Sequence, residues 1–170
     1  MENVDVLSAP FLQLARILTV ERILARSPGI TITLPLMRVY RDSVVVELEI
    51  AQNSALLSGQ ANAAASDLFR NHSIIPDGGL KIAIRFADGV VDPTQETEGS
   101  TRLSYTWMPR SSSGYASIRT YEAAFAIHPL PPPEKFEILV EWSEVGIDVT
   151  ATGLDGSAIS AKAQQVDDLW

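Results

Sequence analysis

The side chains that most often perform chemistry in proteins are sparse in this sequence. Cysteine is absent, which excludes disulfides, thiolate metal sites, iron–sulfur clusters and cysteine nucleophiles. The two histidines, His72 and His128, lie far apart, and neither belongs to an HxH, HxxxH or HExxH pattern. We therefore predict histidines that are solvated or hydrogen-bonded in loops, and no metal site.

Carboxylates are plentiful, but their pattern does not indicate catalysis. Glu47/Glu49 and Glu137/Glu141 alternate with apolar residues, which is typical of a solvated sheet face; a glycosidase would need two acids about 5–9 Å apart across a cleft. The segment that begins at Asp155, DGSAIS, lacks the acidic array of an EF-hand. No G-x-S-x-G, P-loop or G-x-G-x-x-G motif occurs. We predict no catalytic residue, no metal and no cofactor.

Five side chains are candidates for ligand or interface contacts: Tyr105, Trp107, His128, Trp142 and Trp170. Trp107 and Trp142 occupy the apolar phase of predicted strands, which favours core packing over the stacking of sugars. Trp170 follows a predicted helix, and we expect it to dock that helix on the sheets; the alternative is that it projects into another subunit.

These residues must be positioned by strands, because an apolar period of two recurs along the chain. The predicted inward rows are Ile30/Ile32/Leu34/Leu36, Val44/Val46/Leu48/Ile50, Leu80/Ile82/Ile84/Phe86, Leu103/Tyr105/Trp107, Tyr121/Ala123/Phe125/Ile127, Phe136/Ile138/Val140/Trp142 and Val145/Ile147/Val149. Pro35 indicates either an edge strand or a bulge, since proline cannot donate to a ladder. An edge there would suit self-association.

Other segments do not alternate. Residues 10–26 have mixed helical and strand character, 61–70 are alanine-rich and predict a helix, and 109–114 (PRSSSG) predict a flexible loop. A helix over 155–170 would be capped by Asp155 or Ser157. The sequence thus predicts a mainly β protein: one domain over 1–170, an antiparallel β-sandwich of about seven or eight strands, immunoglobulin-like or jelly-roll-like. An N-terminal segment (1–26), in which helix and strand are both open, precedes it, and a C-terminal helix (155–170) ends it.

The most distinctive segment is HPLPPPEKFEILVEW, residues 128–142. Pro129 and Pro132 satisfy the PxxP spacing of ligands for SH3-like domains. The prolines lie between two strongly alternating segments, however, and they fix φ and withhold N–H donors. We therefore favour a stiff connection between strands of different sheets.

Several segments together resemble an uncharacterised bacterial protein family, frequent in actinobacteria: ILARSPGITITLPLMRVYRDSVVVELEI, LKIAIRFADG, SYTWMP, HPLPPPEKFEILVEWSEVGI and the closing AQQVDDLW. The resemblance covers roughly residues 23–170. Glu134 and Ser43 stand where such proteins usually have glycine. The resemblance implies a single domain and carries no activity, cofactor or site residue.

The acidic charge of the chain limits the partners that it can have. The net charge of -8 argues against nucleic acid or anionic membrane as a main partner, and the acidic start of the chain lacks the basic region of a signal peptide. We expect a soluble cytoplasmic protein whose partner is another protein or a second copy. The favoured function is a non-catalytic interaction or assembly protein; the alternatives are a small-ligand or carbohydrate-binding module and a carboxylate-based hydrolase.

Overall fold

The computed structural model describes residues 12–71, 79–91 and 111–170. In chain order the strands are β1 (Gln13–Leu14), β2 (Arg16–Ser27), β3 (Ile30–Val39), β4 (Val44–Asn53), β5 (Lys81–Phe86), β6 (Gly89–Val91), β7 (Ser111–Tyr115), β8 (Ile118–Ile127), β9 (Lys135–Trp142), β10 (Ile147–Asp155) and β11 (Asp167–Asp168). The helices are α1 (Gly59–Asn71) and α2 (Gly156–Ala163), with 3-10 turns at Ser54–Leu56 and Ser143–Val145.

Two antiparallel sheets enclose one continuous core. The five-stranded sheet has the order β2-β3-β4-β8-β7, and the four-stranded sheet has the order β10-β9-β5-β6. Their inner faces contribute to the same buried cluster, so the prediction of a mainly β antiparallel sandwich with a C-terminal helix is confirmed. The alternation predicted the inner rows of β4, β8 and β9, whose large members include Phe125, Phe136 and Trp142.

The strand that contains Pro35 is not an edge strand. It lies between β2 and β4, and both neighbours shift register beside the proline: Leu34 and Pro35 together face Leu48 of β4, and on the other side two residues of β2 face Pro35 alone. Because proline has no N–H for the ladder, a bulge is the compatible solution. The inward phase changes there, so Leu36 leaves the predicted row and Met37 is buried instead. The expected edge at Pro35 is therefore wrong.

Of the two alternatives for residues 10–26, the structure shows the strand, since residues 16–27 form an edge strand. Three further expectations differ from the structure. The C-terminal helix ends at Ala163, well before Trp170. Val149 is exposed, because β10 has a register shift just after Ile147. The segment 111–115 is a strand rather than a flexible loop, because its backbone pairs with β8, and such pairing does not require apolar side chains.

The proline run joins the two sheets, as the sequence predicts. It leads from the end of β8 to the start of β9, which belong to different sheets. Leu130 packs against the core, and Pro131 is buried while Pro132 and Pro133 are exposed. The run also seats helix α2: the Gly156 N–H donates to the Glu134 carbonyl at 2.9 Å. The run is therefore an architectural element that contacts a helix start.

Candidate functional site

The structure does not bring together the predicted candidates among the described residues, His128, Trp142 and Trp170. Trp142 is buried in the core with 1% of its surface exposed, and Trp170 is 95% exposed and does not dock on the sheets. His128 lies beside the β3–β4 turn, with its Nε2 3.9 Å from Asp42 Oδ2. Tyr105 and Trp107, like the predicted strand around them and His72, lie outside the described residues. Because Trp142 is buried, it cannot be part of an exposed aromatic surface that stacks on a sugar.

The acidic pair Glu137/Glu141 is charge-paired on a sheet face. Arg85 Nε donates to Glu137 at 2.6 Å, and Lys81 Nζ lies 3.6 Å from Glu141. Each pair joins directly opposite residues of β5 and β9. Two carboxylates that each face a cation, on the outer face of a sheet, do not form the opposed acids of a hydrolase.

A small ribbon, which local sequence patterns do not reveal, joins the two chain ends that the structure describes. Strand β1 pairs antiparallel with β11, Gln13 opposite Asp168 and Leu14 opposite Asp167. The ribbon continues one residue further, because the Leu169 N–H donates to the Leu12 carbonyl at 3.0 Å. Such short strands need other contacts to persist.

Two arginines supply those contacts. Arg16 Nε donates to the Gln165 carbonyl at 2.6 Å and its Nη2 to Asp167 at 2.7 Å. Arg41 Nη1 lies 3.2 Å from Asp168 Oδ1, and the Arg41 backbone N–H donates to Gln13 Oε1 at 3.0 Å. The C-terminal segment is thus held by charge-assisted bonds from residues far away in sequence.

The ribbon gathers four exposed apolar side chains, Leu12, Leu14, Leu169 and Trp170, which we call the apolar ribbon. Leu12 is 59% exposed, Leu14 50% and Leu169 43%. Directly opposite residues of an antiparallel pair share a face, as do residues two apart on one strand. Leu12, Leu14 and Leu169 therefore form one apolar surface. Trp170, the residue after Leu169, is 95% exposed at the end of the ribbon.

Among the described residues, the charges around the apolar ribbon cancel locally. Arg16 pairs with Asp167 and Arg41 with Asp168, so two positive and two negative groups neutralise each other at this surface. The whole chain carries -8, which opposes contact between copies at most surfaces. The apolar ribbon is a region where that repulsion is locally weak.

A cleft of about 440 Å³ opens between the edge strands β2 and β10, beside α2. Leu18, Val20, Met37, Leu154 and Ile159 give it apolar walls. This volume lies within the range of small-molecule sites. No sequence pattern predicts it, because its walls come from both sheets and from a helix.

The charged groups of the cleft are Arg22, Lys135 and Asp155. Asp155 caps α2: it accepts from the Ser157 hydroxyl at 2.6 Å and from the Ser157 N–H at 2.9 Å. These bonds, the side-chain bond first, hold the pKa of Asp155 below its usual value. Asp155 keeps its negative charge and lies directly opposite Lys135, so Arg22 is the cation of the cleft that has no carboxylate opposite it on the neighbouring strand.

The bulge opposite Pro35 places Arg22. Glu21 has φ of 52°, in the left-handed region, and the register of β2 shifts between Thr19 and Arg22. Arg22 is consequently opposite Leu34, which is fully buried, so both point to the inner side of the sheet. Bulges often re-aim a side chain at binding sites.

Comparisons with known proteins give no relative to reason from. Protein-family models, curated proteins and solved structures all returned no match. Within residues 12–71, 79–91 and 111–170, no three His, Asp or Glu side chains lie together as a metal site would need. No helix in these ranges is long and apolar enough to cross a bilayer.

Proposed function

We propose that this chain is a non-catalytic assembly protein that associates with a second copy through the apolar ribbon. The observation that carries the proposal is the exposed apolar surface of Leu12, Leu14 and Leu169 on one face of the ribbon, together with the exposed Trp170 at its end. Burying exposed tryptophan and leucine side chains in a contact is favourable. Tryptophan is also typical of interface hot spots.

A second copy is the partner that the local charge favours. A surface that binds a charged partner carries unpaired charge of the opposite sign. Here the arginines and aspartates of the ribbon are already paired with each other. A twofold contact places the same patch on both sides, and two neutral apolar patches meet without a charge penalty.

The expected affinity is modest. Fully burying one large apolar side chain contributes about 1.5–3 kcal/mol, while association costs about 4–15 kcal/mol in lost freedom. The three leucines start about half covered, whereas Trp170 is 95% exposed, so only part of that contribution is gained from the leucines. A dissociation constant on the order of micromolar, about -8 kcal/mol, is reached when both patches are fully buried and the cost of association lies at the low end of its range.

Light scattering coupled to gel filtration tests the proposal. The triple variant Leu12→Ser, Leu14→Ser, Trp170→Ser should elute as a monomer at concentrations where the unmodified chain is dimeric. The matched control is Tyr115→Ser with Ile118→Ser, which removes two exposed apolar side chains at the β7–β8 turn. The control should dimerise normally.

Two outcomes contradict the proposal. One is an unmodified chain that stays monomeric at several hundred micromolar. The other is a triple variant that dimerises as the control does, because the contact would then lie elsewhere. Far-UV circular dichroism of each variant establishes that the fold is retained, as expected for side chains that lie largely in solvent.

A further inference from the structure

We infer that the cleft between β2, β10 and α2 binds a medium-chain aliphatic carboxylate, with the chain between the two sheets and the carboxylate on Arg22. This site is separate from the apolar ribbon, and the inference does not depend on self-association. It rests on the shape of the cleft, its apolar walls and the charge at its mouth.

The walls suit an aliphatic chain. Met37 and Ile159 are almost completely buried and form the floor, and Leu18, Val20 and Leu154 pack partly against the core around them. Edge strands of the two sheets meet here, so an unbranched chain can enter between the layers. The cleft of about 440 Å³ has room for a chain of roughly eight to twelve carbons, within the usual range of ligand sites.

Arg22 supplies the charge complementarity. It lies on the inner side of β2 beside apolar residues, and among the described residues no carboxylate lies within 4.0 Å of its guanidinium. Lys135 is directly opposite Asp155, whose carboxylate is bound by Ser157. Because Arg22 and Lys135 outnumber Asp155 among the lining residues, the mouth of the cleft is positive in a chain that is acidic as a whole. A guanidinium binds a carboxylate through two parallel hydrogen bonds.

Ligands with the same aliphatic chain and a different head group distinguish carboxylate recognition by Arg22 from simple apolar binding. Octanoate, 1-octanol and octyltrimethylammonium share an eight-carbon chain and differ in the head. In ¹⁵N-labelled protein, octanoate should shift the amide signals of Leu18, Val20 and Ile159 saturably. Octanol should bind about tenfold or more weakly, since it lacks the charge-assisted bonds, and the cation more weakly still.

Variants with matched controls assign the roles. Arg22→Gln should weaken octanoate about tenfold and leave octanol unchanged, whereas Arg26→Gln, on the same strand outside the cleft, should change neither. Ala158→Leu places a larger side chain in the cleft and should abolish binding of both. Ala161→Leu, exposed on the same helix, should not.

Specific results overturn the inference. If octanoate and octanol bind equally and Arg22→Gln has no effect, Arg22 only protects an edge strand, a known use of inward charges. If no ligand shifts the cleft amides below its micellar concentration, the cleft is not a site for aliphatic chains. If Ala158→Leu binds octanoate normally, the chain lies elsewhere.

Discussion

The start of helix α2 offers a sharp test of how the proline run supports the fold. Gly156 is buried, and a Cβ built there would lie 2.0 Å from the Pro132 carbonyl oxygen and 2.6 Å from the Glu134 carbonyl oxygen. Its φ is outside the left-handed region, so the constraint is contact with backbone and not torsion. Gly156→Ala must therefore push the helix and the proline run apart.

The expected cost follows from these contacts. Overpacking of a filled site costs about 1–3 kcal/mol, and the separation also lengthens the hydrogen bond from Gly156 N–H to the Glu134 carbonyl, worth about 1 kcal/mol. The total of about 2–4 kcal/mol corresponds to a fall in Tm of roughly 5–15 °C for a chain of this size. Urea denaturation followed by circular dichroism gives the free energy of unfolding directly.

Gly153→Ala is the matched control. Gly153 lies on the neighbouring strand β10, where the methyl group of an alanine would have no atom within 4 Å and φ is not left-handed, so alanine there should cost less than about 0.5 kcal/mol. A double-mutant cycle with Pro132→Ala adds a second check: a more pliable run should reduce the cost of Gly156→Ala. The reasoning is refuted if the two glycine variants have equal stability.

Two further predictions concern the same region. Replacing Pro131, Pro132 and Pro133 by alanine should lower stability by about 1–3 kcal/mol, because each proline restricts the unfolded chain. Unchanged melting together with lost association would show a recognition motif instead. Asp155→Ala should lower Tm at pH 7, because it removes the cap of helix α2. Since the pKa of Asp155 is depressed in the folded chain, the unmodified protein keeps this advantage above about pH 4 and loses it as the pH falls further. Thermal melts from pH 7 to pH 2.5 check this, and a difference in Tm that stays constant with pH would contradict the cap.

Alternation of apolar residues was enough to predict the sandwich and most inner rows. The alternate residues Val44, Val46, Leu48 and Ile50, and likewise Phe136, Ile138, Val140 and Trp142, are buried as their period of two indicates, because they face the core. The period does not indicate the second, smaller cluster on the opposite face, where Val45, Ala124 and Ala126 are also buried. The period fails at Pro35, where the bulge shifts the phase from Leu36 to Met37. A local rule names two options for such a proline, and only the neighbouring strands decide between them.

The candidate sites were not predictable for a different reason. The apolar ribbon depends on hydrogen bonds between Arg16 and residues 149 and 151 positions away, and strands of two residues have no period to detect. The cleft depends on where two sheet edges meet. Trp170 was the one sequence signal for the ribbon, and its expected docking assumed a helix that continued to the end of the chain.

Sedimentation equilibrium of the unmodified chain tests the central claim most directly. Between about 1 and 300 micromolar, the weight-average mass should rise from 18.5 kDa toward twice that value, and the Leu12→Ser, Leu14→Ser, Trp170→Ser variant should stay at the mass of one chain throughout. A mass that remains at one chain for the unmodified protein, or rises equally for the variant, would contradict assembly through the apolar ribbon.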